Sequence, residues 1–408
     1  MRLRLPPTIV FGAGALGELP RMLGELGVTR PLVATDAGVA ATGLPGRVVQ
    51  QLAIAGLTAC AWDGVVADPG EAQAELCCEQ ATAAGCDGIV ALGGGSVIDA
   101  AKVAAVLATN GGRARDYFGF DRVPRRGLPL VAVPTTPGSG AEVSSHAVLL
   151  RQAPRRKEAV AGLHLLPSAA LIDPRLAATL PPRQTLWSAL DSLIHALEAF
   201  VARRATPLTD AFARLAVPEI AAALPRSMTA GVTTDEEARE SLARGCLYAS
   251  LAMANANAGA IHALGYPLSG RYGIPHGLAN ALMAAATLER TWHGQPERYA
   301  ELASLLGGGE AADLAERVRR LLAAVGVDDS LADWGVVERD LPRLAREATH
   351  FRPVLENVAV ALGERDLLEI YRAALGAGAP ARPEAAGARP EAPGESAADT
   401  VRPGASGP

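Results

Sequence analysis

Asp191 and His195 stand four residues apart in DSLIHALEAF, a stretch with the apolar spacing of a helix. On a helix that spacing puts both side chains on one face, one turn apart. Two more imidazoles, His262 and His276, come from IHALGYPLSGRYGIPHGLAN, where a helix carrying His262 is followed by a Gly/Pro-rich break and then His276. One carboxylate and three imidazoles suit a divalent transition metal such as Fe2+ or Zn2+. If these four supply all the ligation, a further position stays open for a substrate oxygen, and the site is a Lewis acid. Taken alone, an Asp and a His one turn apart also read as a surface or capping pair. The chain holds only seven histidines, however, and three of them fall in these two segments.

A second constellation lies upstream. CDGIVALGGGSVIDAAKVAAVLA reads as strand, turn and helix, with an apolar run over 88–92 and helical spacing from Val97 onward. Glycines at such a turn let the backbone approach a phosphate with no Cβ in the way. The helix N-terminus adds free N–H groups and a positive dipole end. Ser96 is placed as an N-cap or a phosphate donor, and Asp99 and Lys102 lie in the first two turns. A tight turn without a ligand is the other reading of such a loop. Further upstream, FGAGALGELP contains G-x-G-x-x-G at Gly12, Gly14 and Gly17, and Asp36 closes the strand RPLVATD. We read GGGS as the pyrophosphate seat, residues 12–17 as a turn, and Asp36 as a contact to an adenosine ribose. A carboxylate at Asp36 repels a 2′-phosphate, which favours NAD(H) over NADP(H).

The elements that must position these groups fall into two kinds. Over 1–178, six apolar runs (TIVFG, PLVATD, ACAWDGV, GIVALG, LVAVPT and AALIDP) alternate with helical segments, which predicts a Rossmann-like α/β domain with a mostly parallel sheet. Over 179–376 the pattern is helical throughout, which predicts an all-α domain carrying every candidate metal ligand. The active site is therefore expected in the cleft between the halves. Residues 377–408 are rich in Pro, Ala and Gly without apolar patterning and read as a disordered tail.

Six stretches together resemble the iron-containing (group III, metal-dependent) alcohol dehydrogenases: GGGSVIDAAK, VPTTPGSGAEVS, RRKEAVAGLHLLPSAALIDP, ALDSLIHALEAF, NANAGAIHALGYPL and GIPHGLAN. The resemblance runs from about residue 8 to about residue 375. It implies the dehydroquinate synthase-like fold of that family, and a metal held by Asp191, His195, His262 and His276. It implies that Gly94, Gly95 and Ser96 contact the pyrophosphate, that Thr135 and Thr136 line the nucleotide cleft with Ser144 nearby, and that Asp99 faces it. Lys157, sixteen residues before Asp173, matches the family's nucleotide-contacting lysine. The chain departs from the family at three places. Where many members carry a second histidine, four residues after His262, this chain has Tyr266. The usual glycine two residues before the metal aspartate is Ala189, and Pro137 stiffens the TTPGSG loop. Tyr266 and the ligand His276 are the candidate catalytic residues. An aspartate at 191, where the related maleylacetate reductases commonly carry Asn, argues for metal dependence.

The implied activity is hydride transfer between NAD(H) and a small alcohol or aldehyde, with Fe2+ or Zn2+ as the metal. Alternatives are reduction of an anionic aldehyde or keto acid, to which Arg271 would contribute, and a sugar-phosphate lyase or cyclase of the dehydroquinate synthase type. A non-enzymatic nucleotide sensor is a further rival. At 408 residues, 49% hydrophobic and 20% charged, the chain can bury a large core, and its net charge of −5 with no long basic run disfavours a nucleic-acid partner. Five cysteines without C-x-x-C spacing fit free thiols in a reducing compartment. No signal-peptide core and no long uncharged apolar span is found, so a cytoplasmic protein without membrane association is expected. The family resemblance implies a homo-oligomer, such as a dimer.

Overall fold

The computed structural model describes residues 3–153, 155–229 and 235–376. The tail expected over 377–408 lies outside the described residues. In the first half, β1 (Thr8–Phe11), β2 (Pro31–Asp36), β3 (Cys60–Val65), β4 (Gly88–Gly93), β6 (Leu130–Pro134) and β9 (Ala169–Ile172) form one sheet in the order β1-β9-β6-β4-β2-β3. Every pairing in it is parallel. The six strands are the six apolar runs of the sequence.

Their composition explains their positions. β4, β6 and β9 are buried along their whole length, as parallel strands covered on both faces must be. β3, at the edge, carries exposed positions instead. Ala34, Ala91 and Ala132 face one core, while Val33, Val90 and Val131 face the other. Helices α1 (Leu19–Glu25), α2 (Ala37–Ala41), α3 (Leu44–Ile54), α4 (Glu71–Ala83) and α5 (Gly95–Asn110) connect the strands. The order reverses direction between β2 and β4, which lie side by side. Such a switch point opens a crevice beyond the carboxyl ends of the strands.

A second sheet was not expected from the sequence. β5 (Gly119–Phe120), β8 (Arg155–Ala161) and β7 (His146–Gln152) pair in that order, with β7 and β8 as an antiparallel hairpin. The charged run around Lys157 lies on β8, close to the hairpin tip.

The second half is helical: α6 (Pro182–Val201), α7 (Pro207–Thr229), α8 (Glu236–Ala256), α9 (Ala260–Tyr272), α10 (His276–Thr291), α11 (Pro296–Leu305), α12 (Asp313–Ala324), α13 (Leu341–Ala348), α14 (Arg352–Leu355) and α15 (Glu364–Gly376). α6 is buried almost all round from Thr185 to Val201, so it is the central helix of this half. α9 ends at Gly273, whose left-handed φ of 65° closes the helix, and α10 begins three residues later with His276.

Hydrogen bonds and an apolar cluster of Val143, Ala170 and Ile172 with Leu247 and Leu251 tie the halves together. Asn255 of α8 accepts from the Arg4 backbone at 2.6 Å, and Ser192 of α6 donates to the Gly138 carbonyl at 3.2 Å. Within the helical half, α10 crosses α6 so closely that a Cβ on Gly277 would lie 1.9 Å from the Trp187 carbonyl oxygen. Gly277→Ala is therefore expected to force α10 off α6, at a cost of about 1–3 kcal/mol. Thermal unfolding should then show a midpoint lower by about 1–5 °C. An unchanged midpoint would mean that the helix pair relaxes freely.

Candidate active site

α6 brings Asp191, His195 and Glu198 to one face by its i, i+4, i+7 spacing. All three are buried in the middle of an apolar helix, at 8%, 3% and 5% exposure. The first turn of α9 adds His262, which is 2% exposed. One ligating atom each from Asp191, His195 and His262 forms a set whose members all lie within 4.8 Å of one another. His195 Nε2 lies 3.6 Å from Asp191 Oδ2, and His262 Nε2 lies 3.6 Å from Asp191 Oδ1. His276, at the start of α10, approaches from the edge, with Nε2 3.7 Å from Asp191 Oδ1 and a third of its side chain exposed.

Behind His262 stands Glu198, which sequence reasoning missed. Its carboxylate accepts from the backbone N–H groups of Gly259 and Ile261 at 2.9 and 2.6 Å, and from His262 Nδ1 at 2.5 Å. That contact fixes the tautomer and aims Nε2 at Asp191. A carboxylate behind an imidazole is the usual support of a metal-binding histidine. The sequence signal was available: Glu198 continues the helical face of Asp191 and His195 by one more turn. Asn280 of α10 was also missed. It is fully buried and donates to Asp191 Oδ1 at 2.8 Å, with His276 Nε2 3.2 Å away.

The electrostatics follow from burial and proximity. Burial opposes charge on Asp191, but His195, His276 and His262 outweigh it and hold its carboxyl well below the usual range. Burial also works against a charged His262, yet Glu198 and Asp191 on either side push the ring up to about 10. Burial is the main cause that lowers His195 and takes His276 down to about 4. The carboxylate of Asp191 is thus ionised and two rings are neutral, while the third carries a proton between two carboxylates. His262 Nε2 is buried without a hydrogen-bond partner. An orphaned nitrogen facing a carboxylate, with one O and two N donors converging and His276 at the edge of the set, fits a divalent transition metal.

The nucleotide loop lies at the switch point. Ala34 and Ala91 are partners in the β2–β4 ladder, so Asp36 and residues 93–96 emerge side by side. Gly94 caps α5 in an extended conformation, which places Ser96 inside the first turn and not at the N-cap expected for it. A Cβ on Gly94 would lie 3.0 Å from Thr136 Oγ1, and one on Gly95 would lie 2.8 Å from Ser139. A cradle this narrow, at the N-terminus of a long helix, fits a pyrophosphate. Asp36 accepts from Val39 N at 2.9 Å and so caps α2 from the same rim. Ser96 Oγ accepts from Asp68 N at 3.3 Å, and Lys157 Nζ donates to Asp68 Oδ1 at 2.6 Å.

Of three further expected cleft residues, Thr135 and Ser144 are buried and Asp99 is part-buried. Thr135 is buried and its N–H donates to the Gly93 carbonyl at 3.1 Å. Lys102 Nζ reaches Ser144 O, Ser144 Oγ and His146 O at 2.9, 3.0 and 2.8 Å, which commits the Ser144 side chain to the interior. Asp99 Oδ2 accepts from Val148 N at 2.8 Å, so it pins β7 to α5. Burial raises its carboxyl to about 6 and lowers Lys102 to about 8. Arg271 is engaged by Glu347, with Nε to Oε2 at 2.6 Å.

If His262 Nε2 ligates a metal, a proton competes for the same nitrogen, so metal affinity in this seat should fall as pH falls below about 10. Glu198→Gln removes the charge that holds that proton. It is expected to weaken metal binding about 10–100-fold and to flatten the pH dependence. Metal competition titrations across pH measure both, and unchanged affinity would remove Glu198 from the seat.

Comparison with known proteins agrees over nearly the whole length. Residues 6–174 match the family described as iron-containing alcohol dehydrogenase, and residues 185–375 match the C-terminal part of the Fe-containing alcohol dehydrogenase family. An NAD-dependent methanol dehydrogenase of Bacillus methanolicus is 34% identical over 91% of this chain and 99% of its own. A sulfoacetaldehyde reductase of Bilophila wadsworthia is 30% identical over 90% and 96%. The solved structure of an iron-containing alcohol dehydrogenase from Thermococcus thioreducens superposes with a TM-score of 0.84 at 30% identity, covering 92% of this chain and 100% of that one.

Proposed function

This chain belongs to the iron-containing alcohol dehydrogenase family and is an oxidoreductase, and on that premise we propose which of its residues do the work. Asp191, His195, His262 and His276 hold Fe2+ or Zn2+, and residues 94–96, Asp36, Thr136 and Lys157 hold NAD(H). The reaction is reversible reduction of a small uncharged aldehyde to its alcohol. The observation that carries this reading is the convergence of an ionised buried carboxylate with the imidazoles of His195 and His262, His276 standing at the edge and His262 Nε2 left without a hydrogen-bond partner among the described residues. A divalent metal there supplies polarisation of a carbonyl or alcohol oxygen, and a bound nicotinamide supplies the hydride.

The chain's own residues do the remaining work. Glu198 orients His262, and Asn280 steadies Asp191. Helix α5 offers its first N–H groups to the pyrophosphate, and Lys157 adds a cation beside them. Asp36 accepts from the ribose and disfavours a 2′-phosphate, which supports NAD(H) over NADP(H). Reduction consumes one proton. It enters on the side of His276, the most exposed of the four ligands. Thr135 and Ser144 hold the floor of the nucleotide cleft, and Asp99 stands beside it, its Oδ1 without a hydrogen-bond partner among the described residues. With Arg271, in the last turn of α9, engaged by Glu347, this side chain is not free for an anionic substrate. Five free thiols support a reducing, cytoplasmic setting, and among the described residues no helix is long and apolar enough to cross a membrane. We place the enzyme there as a homodimer, on the family resemblance.

The decisive experiment follows NADH oxidation by metal-stripped protein on propanal, sulfoacetaldehyde and phosphonoacetaldehyde. Fe2+, Zn2+ or Mg2+ is then restored. Activity on propanal should return with Fe2+ or Zn2+ and not with Mg2+, and Asp191→Ala should regain neither metal nor turnover. Full activity after chelation would sink the metal assignment. Preference for a charged aldehyde would move the substrate to the anionic class.

Cofactor choice is tested separately with Asp36→Ser, which keeps a capping oxygen for α2. The ratio of kcat/KM for NADPH to that for NADH should rise by roughly tenfold or more, the size of a lost charge-assisted contact. An unchanged ratio would take Asp36 out of cofactor selection.

A further inference from the structure

Among the four candidate ligands, His276 is held differently from His262. His262 has Glu198 behind its Nδ1. No protein group among the described residues accepts from His276 Nδ1, and its hydrogen-bond contact is Asn280 Nδ2, 3.2 Å from Nε2. It is also the first residue of α10, where the backbone has only begun to be helical. A ligand without an acceptor behind it swings about its Cβ unless something else fixes the ring plane.

Tyr266 supplies that constraint. It lies on α9 one turn beyond His262, and its ring stacks on His276 with centroids 5.3 Å apart and planes only 11° off parallel. On its other contacts, Phe351 packs against it at 4.6 Å, and His262 meets it edge-on at 6.1 Å. Phe351 itself is anchored at the end of α13, where its N–H donates to the Ala348 carbonyl at 3.1 Å and Ala348 is fully buried. The Tyr266 hydroxyl makes no hydrogen bond among the described residues, although the ring makes three aromatic contacts. Stacked aromatic pairs of this kind prefer one relative ring orientation, which favours one ring plane for His276.

We propose that Tyr266 and Phe351 form a stacking clamp that sets the ring plane of His276, so that Tyr266 serves the metal site through its ring and is a positioning residue rather than the proton donor. The clamp replaces the carboxylate that orients His262. It also makes the short segment between α13 and α14, remote in sequence from every ligand, part of the metal site. The inference rests on the metal reading above and adds two residues to it.

The test uses Co2+ as a visible probe on the full-length chain. Its affinity is read by competition with a chromophoric chelator, and its coordination by its absorption bands. Tyr266→Phe keeps the ring and should keep wild-type Co2+ affinity within about twofold, the same bands and both limbs of the pH–rate profile with NADH and propanal. Tyr266→Leu and Phe351→Ala lose the stack and should weaken Co2+ binding roughly tenfold or more, with altered bands. Thermal unfolding of the metal-free variants separates loss of the clamp from loss of the fold. If Phe351→Ala fails to fold, Phe351→Leu keeps the volume without the ring and carries the same expectation. Two results overturn the clamp. One is wild-type Co2+ affinity in Tyr266→Leu. The other is a Tyr266→Phe enzyme with intact Co2+ binding that loses turnover together with one limb of the profile, which assigns the hydroxyl to proton transfer. A wild-type chain that binds no Co2+ would instead sink the metal reading itself.

Discussion

The separation between the two halves of the site is set by one close-packed loop. Residues 135–140 are pressed between α6 and the nucleotide loop. On one side, Ser192 donates to the Gly138 carbonyl, and a Cβ on Gly138 would lie 2.6 Å from the Ser188 carbonyl oxygen. On the other, Thr136 and Ser139 stand against Gly94 and Gly95 with no room for a methyl group. Ser188 and Ser192 flank Asp191 in sequence. The helix that presents the metal-type donors and the helix that presents the phosphate-type donors are therefore spaced by a single layer of backbone. Interiors packed at crystal density do not let such a layer drift.

Within that frame the helical half has to stabilise charge where apolar contacts dominate. α6 is buried all round, yet it carries two carboxylates on the face that meets α9 and α10. Each is satisfied by donors brought from a neighbouring helix. Glu198 takes two backbone N–H groups at the start of α9, where the helix dipole favours negative charge. Asp191 takes the Asn280 amide. Removing one member of such a set leaves an uncompensated buried charge, which costs several kcal/mol by itself. Structural support and chemical readiness are thus carried by the same few hydrogen bonds.

Much of this was legible in the sequence, for identifiable reasons. All six strands of the main sheet were visible because buried parallel strands are continuous apolar runs. The i, i+4 pair on α6 was visible because helical periodicity is local. The second sheet was not, because β7 and β8 carry Arg, Glu and Lys at positions where half-buried strands usually alternate. Of the two readings of Ser96, the N-cap lay two positions off because Gly94 caps the helix. Ser144 and Asp99 share stretches with true loop residues, and only the fold reveals that they turn inward to Lys102 and β7. Glu198 could have been found from the helical face of Asp191. Asn280 and Phe351 could not, since they meet the site through tertiary contacts spanning 89 residues from Asp191 and 85 from Tyr266.

The arrangement around Glu198 bears on how the enzyme is made in the cell. Its three acceptor bonds all run to protein groups, so the N-terminus of α9 is held by the protein itself. Support of this kind is supplied by the protein's own groups, in contrast to small domains that need an ion to fold at all. A seat built in advance from one oxygen and three nitrogens ranks divalent ions by their intrinsic preference for such donors, which does not single out iron. For the proposed seat, ion supply then matters alongside donor preference, and preparations from hosts with different metal supplies would differ in the ion they hold.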